Sequence, residues 1–156
     1  MSSSVVGIFT APAAEAPMVA SDSVRAVAGY GLEGDRYFSG EGTFSGTVEA
    51  PSYEVTLVES EMVEAFNARG GVRLEPRDLR RNLVTAGVNL NTLVGKTFQL
   101  GDVTLKGTRL CEPCNHLATL VHPEVLGMVH QAGLRAGIVS GGLIRVGDAV
   151  QIPEPD

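Results

Sequence analysis

Apolar and polar positions alternate over short runs along most of this chain, and only a few stretches carry helical spacing. Ser4 to Phe9 reads as a first strand. Thr10 to Met18, rich in Ala and Pro, must be a loop, because proline cannot donate to a sheet ladder. Val24 to Ala28 is a second strand. Gly29 to Phe38 is a Gly-punctuated turn carrying charges and aromatics, and 39–52, rich in Gly, Ser, Thr and Glu, reads as a mobile excursion. Tyr53 to Glu59 alternates as a strand. Ser60 is placed to cap a helix from Glu61 to about Arg69, with Met62, Val63, Ala65 and Phe66 inward and Gly70-Gly71 as terminator.

Asp78 to Thr85 has the pattern of a strand with charges at one end, and Asn89 to Val94 that of a short helical turn or loop. Thr97–Leu100, a Gly101-Asp102 turn and Val103–Lys106 form a hairpin pattern. Pro113 suits the first position of a helix that Asn115 to Val121 can continue. A second helix opens at His122-Pro123, with Val125, Leu126 and Val129 apolar and Gly133 as its cap. Turns at Gly141-Gly142 and Gly147-Asp148 then join three short strands over 137–140, 143–146 and 149–152. Many short strands with tight turns and a few short helices predict a mainly β, α+β domain that closes wholly or partly into a barrel. Strands and helices do not alternate regularly, which argues against a doubly wound sheet.

Composition narrows the partners more than the fold. The 156 residues suit one domain over 1–156, large enough to bury roughly 70 % of its unfolded surface without disulfides or metal. The formal net charge is −6 and no basic run exceeds Arg80-Arg81, so neither a nucleic acid nor an anionic membrane is expected as partner. Apolar runs fall far short of the roughly 20 residues of a membrane span, and the start of the chain lacks the pattern of a signal peptide. Two cysteines in such a chain point to a reduced, cytoplasmic setting.

Both cysteines lie in Arg109-Leu110-Cys111-Glu112-Pro113-Cys114-Asn115-His116. With Cys114 in the first turn of a helix, the helix dipole and Arg109 would favour its thiolate. The C-x-x-C spacing has several readings. Structural zinc would need further ligands from His116, His122 and His130. A c-type haem would need histidine where Asn115 stands. A thioredoxin-like dithiol belongs early in a βαβ pattern, which this position does not match. A single reactive Cys114 could ligate a soft metal or carry sulfur as a persulfide, with Cys111 as accessory or resolving thiol. Or both are small core side chains. Arg80, Arg81, Asn82 and Arg135 form a second constellation, since converging guanidinium forks suit a phosphate or a planar heterocycle, and Asn82 could read an amide edge. Asp35-Arg36 reads as an internal ion pair or as part of that site. His130 reads as packing.

Six short motifs occur in order: Gly31-Leu32-Glu33-Gly34-Asp35-Arg36-Tyr37, Arg80-Arg81-Asn82-Leu83-Val84, Leu93-Val94-Gly95, Cys111-Glu112-Pro113-Cys114, Gly133-Leu134-Arg135-Ala136 and Gly147-Asp148. Together they resemble the MOSC domain that ends eukaryotic molybdenum-cofactor sulfurases and also stands alone as small bacterial proteins, over about residues 17–152. The resemblance implies a β-barrel-based fold and molybdenum-cofactor or sulfur chemistry. It implies Cys114 as the thiolate ligand of molybdenum or as the sulfur carrier, with Cys111 lying outside the family's minimal pattern. Arg80, Arg81 and Asn82 would contact the pterin phosphate or ring, and Arg135, Asp35, Arg36 and His116 complete the expected cofactor-binding set. The expected activity is reduction of N-hydroxylated small molecules with electrons from a donor protein. The alternatives are persulfide transfer from a cysteine desulfurase, or a non-catalytic redox or zinc module. The pyridoxal-phosphate desulfurase domain of the large sulfurases has no counterpart here, so no pyridoxal phosphate is expected. Nor has the amino-terminal β-barrel extension of amidoxime-reducing enzymes.

Overall fold

A computed structural model describes residues 3–43, 45–46 and 53–152. Half of the expected mobile excursion over 39–52 lies outside the described residues; the described part is turn, with Glu41 N–H donating to Arg36 O (2.8 Å) and Ser45 N–H to Gly42 O (3.0 Å). The strands are β1 (Ser4–Thr10), β2 (Val19–Ala20), β3 (Ser23–Val27), β4 (Gly31–Leu32), β5 (Val55–Glu59), β6 (Leu83–Ala86), β7 (Thr97–Leu100), β8 (Val103–Leu110), β9 (Leu134–Ser140), β10 (Gly142–Arg145) and β11 (Val150–Gln151). Two α-helices accompany them, α1 (Ser60–Asn67) and α2 (Asn115–Leu120). The fold is mainly β, of the α+β class.

The strands form an eight-stranded sheet in the order β11-β7-β8-β9-β5-β6-β1-β2 and a three-stranded sheet in the order β10-β3-β4. The sheets do not close into the expected barrel. The far half of β1 pairs with β2 (Phe9↔Ala20, Thr10↔Val19), and β11 is only two residues long. What joins the start of β1 to the β11 end is the isolated bridge Ser4↔Ala149, with Val5 N–H donating to Asp148 O (2.9 Å), Gly147 N–H to Val5 O (2.8 Å) and Val150 N–H to Ser3 O (3.0 Å). The hairpin of β7 and β8 forms as its alternation predicts, with Phe98 and Leu100 buried and Thr97 and Gln99 exposed.

Strand β5 organises the site. All five of its residues are buried, between antiparallel β9 and parallel β6. A parallel pair needs a crossover, and α1 with its following loop supplies it. Because side chains alternate along a strand, β5 divides the interior in two. Val55 and Leu57 join Leu83, Leu105 and Leu134 in the larger core, whereas Val58 joins Val84, Phe66, Leu117 and Met128 in a second cluster beneath α1 and α2. Cys114 packs at the edge of that second cluster.

Several local expectations change. Ser60 is the first residue of α1 rather than its cap, Ala65 faces out, and Val63 and Phe66 are the helix's buried residues. Asp78 to Thr85 is not one strand. Pro76 and the reciprocal Glu75–Asp78 capping bonds set a 3-10 turn over Pro76–Leu79, and Arg80 then takes a left-handed conformation (φ 60°) before β6 begins. The second expected helix is a 3-10 turn, Pro123–Gly127, with Val125 buried but Leu126 and Val129 exposed. Gly133 does not cap it. A Cβ there would collide with Leu57 O, so glycine lets this segment lie against β5.

Candidate functional site

The cysteine loop leaves β8 at Leu110 and is pinned at once, Cys111 N–H donating to Gly133 O (2.8 Å). Cys111 is buried and Cys114 half-buried, and both are free thiols. Cys114 is not in the first turn of α2, as expected, but is its N-cap, with Sγ accepting from Leu117 N–H at 3.5 Å. Pro113 therefore precedes the helix rather than opening it.

Arg81 holds this loop from below. Its Nε donates to Ala132 O (2.8 Å), Nη1 to Leu79 O (2.9 Å) and Nη2 to Cys111 O (3.0 Å), with a longer contact to Glu112 O. This buried guanidinium is committed to backbone carbonyls on three segments. Asn82 is equally committed. Its Oδ1 accepts from Thr56 N–H (3.1 Å) and Oγ1–H (3.2 Å), while Nδ2 donates to Phe9 O (3.1 Å), tying β5 to β1. Asp35 is buried beneath the loop it shapes, accepting from Ala11 N–H, Tyr37 N–H and Arg36 Nη1 (3.0 Å). Neither Asp35 nor Asn82 lines the cavity described next; both were expected to contact cofactor.

That cavity, of about 90 Å³, brings together Cys111, Cys114, His116 and four arginines, Arg36, Arg80, Arg81 and Arg135. Arg36 and Arg135 sandwich two tyrosines. Arg36 lies over the Tyr37 ring (5.0 Å), Tyr37 stacks on Tyr53 (5.0 Å between centroids, 13° between planes), and Arg135 lies over Tyr53 (4.2 Å). Burial, and then the neighbouring Cys111 sulfur, push the Tyr53 hydroxyl well above the usual tyrosine range, so it keeps its proton. Reading along the chain missed Tyr53 as a site residue and saw Tyr37 only as part of a motif. The stack joins residues far apart in sequence, so no local pattern signals it.

Arg80 stands between this cavity and a larger groove of about 520 Å³, because it lines both, as does Leu120. Its Nη1 donates to Ala16 O (2.7 Å), while Nη2 is buried without a hydrogen-bond partner among the described residues. Burial, and next the charge of Arg36, lower its affinity for its own proton. Arg73 and Arg77 line the groove as well, and Arg77 rests over the Phe9 ring (5.2 Å). These two arginines were also missed. His116 Nε2 lies 3.5 Å from Glu15 Oε1, near enough for attraction but not aligned as a hydrogen bond, so that buried nitrogen has no hydrogen-bond partner among the described residues.

The other histidines lie outside the cavity lining. His122 Nδ1 accepts from Glu124 N–H (3.1 Å), and His130 pairs with Glu112 (2.9 Å). Among the described residues no three His, Cys, Asp or Glu side chains converge as a metal site built wholly from protein would require. The zinc reading thus lacks its ligand set there.

Residues 33–151 match the family model of the MOSC domain. The chain belongs to the MOSC domain family. Its architecture is similar to that of the YuaD protein from Bacillus subtilis, with a TM-score of 0.82, 15 % identity, and coverage of 100 % of this chain and 98 % of that one. It is also similar to YiiM from Geobacillus stearothermophilus (TM-score 0.74, 12 % identity, 97 % and 75 % covered). YiiM from Escherichia coli is a third likeness (TM-score 0.68, 16 % identity, 100 % and 71 % covered). At such identities the likeness concerns the fold alone. No curated protein sequence matches the chain. In this MOSC domain four of the six motifs contribute residues to the cavity lining, whereas Leu93-Val94-Gly95 and Gly147-Asp148 lie outside it. No helix among the described residues is long and apolar enough to cross a membrane.

Proposed function

We propose that this MOSC domain binds a molybdenum cofactor through the Cys114 thiolate and reduces N-hydroxylated small molecules with electrons from a donor protein. The observation that carries the reading is the convergence of Cys114, Arg80 and Arg135 on one cavity that adjoins an arginine-lined groove. The donor set fits. A dithiolene-bound metal brings its own sulfur ligands and asks the protein for one soft donor, and Cys114 is the half-buried thiol on the cavity wall. The cofactor's phosphate asks for guanidinium forks, and the buried Arg80 Nη2 is a donor without a partner. The inner cavity is too small for a pterin, so the phosphate-bearing part would lie in the groove, where Arg73 and Arg77 join Arg80. When bound, the cofactor supplies a two-electron centre able to take oxygen from an N–O bond. Arg81 and Asn82 hold the loop and strands that position Cys114. Leu117 and Leu120 keep an apolar wall against water, and Arg135 adds positive charge.

The small inner cavity favours a second reading. About 90 Å³ with several guanidiniums suits a compact sulfur anion, such as a Cys114 persulfide loaded by a cysteine desulfurase. Metal and pterin analysis of the chain expressed in a cofactor-competent host separates the two. Molybdenum and pterin near one per chain, absent from Cys114→Ser and retained in Cys111→Ser, is the expected result. Molybdenum absent from the wild-type chain, with persulfide on Cys114 after incubation with a desulfurase, would replace the first reading with the second.

A further inference from the structure

Glu112 is the one carboxylate among the described residues lining the Cys114 cavity, where four arginines also face. A carboxylate placed among guanidiniums would neutralise part of the field that attracts an anion. Instead, both its oxygens are held by one residue outside the cavity. His130 N–H donates to Oε1 (2.8 Å), and His130 Nδ1 lies 2.9 Å from Oε2. His130 is not a cavity residue, and its side chain is largely exposed. It holds an uncommon backbone conformation for a non-glycine (φ 60°), and Asn91 Nδ2 fixes its carbonyl at 2.8 Å. Histidine at this point therefore does something that ordinary packing does not require.

We infer that His130 sets the anion preference of the Cys114 cavity by drawing the Glu112 carboxylate out of it. With the latch made, His130 engages both Glu112 carboxylate oxygens and the arginines face the cavity with less opposing charge. With the imidazole removed, one of the two bonds is lost and the carboxylate is free to turn towards the guanidiniums. The inference concerns any anionic occupant, so it stands or falls independently of whether molybdenum binds.

The test uses the full chain prepared in a host that makes no pterin cofactor. Cys114 is alkylated at low salt with iodoacetate and, separately, with iodoacetamide, and modification is assigned by peptide mapping. The two reagents attack the same sulfur, so the ratio of their rates reports the local potential rather than the accessibility of the thiol. His130→Gly should lower the iodoacetate-to-iodoacetamide ratio by about threefold, the effect of one charge about 7 Å away in water. Adding Glu112→Gln should restore the ratio. His130→Asn, which tolerates the same backbone conformation, provides a second variant should glycine loosen the fold. An unchanged ratio in a folded variant would overturn the inference. So would a fall that persists with Glu112→Gln, since general loosening of the loop does not depend on the carboxylate.

Discussion

The two walls of the Cys114 cavity each carry an arginine and a cysteine, and they behave oppositely. On the floor, Arg81 and Cys111 are buried, with Asn82 buried outside the lining; the Arg81 guanidinium is taken up by backbone carbonyls, and Asn82 by Phe9 and Thr56. On the open side, Cys114 keeps a half-buried sulfur facing the cavity, and Arg80 and His116 each keep a nitrogen without a hydrogen-bond partner among the described residues. Arg80 and Arg81 are adjacent in sequence, and the left-handed backbone at Arg80 lets one reach Ala16 and the groove while the other reaches under the cysteine loop. An arginine that answers several carbonyls is a piece of the fold. An arginine with an unanswered nitrogen in a cavity is available to a ligand.

Substitutions that exchange the two walls should therefore show contrasting effects. The largest belongs to Arg81→Met, which strands carbonyls on three segments; a loss of about 3–5 kcal/mol in urea unfolding is expected, with Arg80→Met losing less than about 1 kcal/mol. Equal losses from the two would erase the distinction. Arg80→Met should instead lower retained phosphate-bearing cofactor about tenfold, as read by equilibrium dialysis. Asn82→Ala comes next, about 2–3 kcal/mol, because the Phe9 carbonyl and Thr56 donors lose their partner together. Cys111→Ser places a hydroxyl in a buried site and should cost about 1–2 kcal/mol, whereas Cys114→Ser should change stability by less than about 0.5 kcal/mol while abolishing metal or persulfide loading.

The smallest effect lies outside both walls and serves as a control. Burial raises the carboxyl pKa of Glu59 in the folded state, although Leu90 N–H opposes this. The folded chain thus holds that proton more tightly than the unfolded chain. Stability falls as pH rises from the ordinary glutamate value through the raised folded value, and the loss is complete above it. Glu59→Gln should be the more stable protein at pH 7, with the advantage fading towards acid pH in thermal unfolding. If alkylation of Cys114 followed the same pH course, the independence of cavity and fold would be in doubt.

Much of this could be read along the chain. The alternation from Thr97 to Lys106 predicted its hairpin, that of Tyr53 to Glu59 a strand, though not its burial on both faces, and Asn89 to Val94 its short turn. The ordered motifs pointed to the family by themselves. Errors fell where local chemistry competed with periodicity. Asp78–Thr85 looked extended, but Pro76 and the Glu75–Asp78 capping box favoured a turn. Leu126 and Val129 carried a helical pattern that Gly127 and a five-residue turn could not bury. The candidate site was legible as a set of residues but not as a division of labour among them. Asp35, Arg81 and Asn82 bear the chemistry of binding residues and serve the fold, while Tyr53, Arg73 and Arg77 carry no local mark and line the site.

What the sequence determined by itself was the mainly β architecture, the family and the cysteine loop, because strand alternation, turn chemistry and motif order are properties of neighbouring residues. Which sulfur faces a cavity, which guanidinium is already answered, and where Glu112 points were decided by tertiary structure. Those depend on carbonyls and rings contributed by β5, the Gly133 segment and His130, all distant along the chain. A side chain's availability is set by what the rest of the fold leaves it to bind.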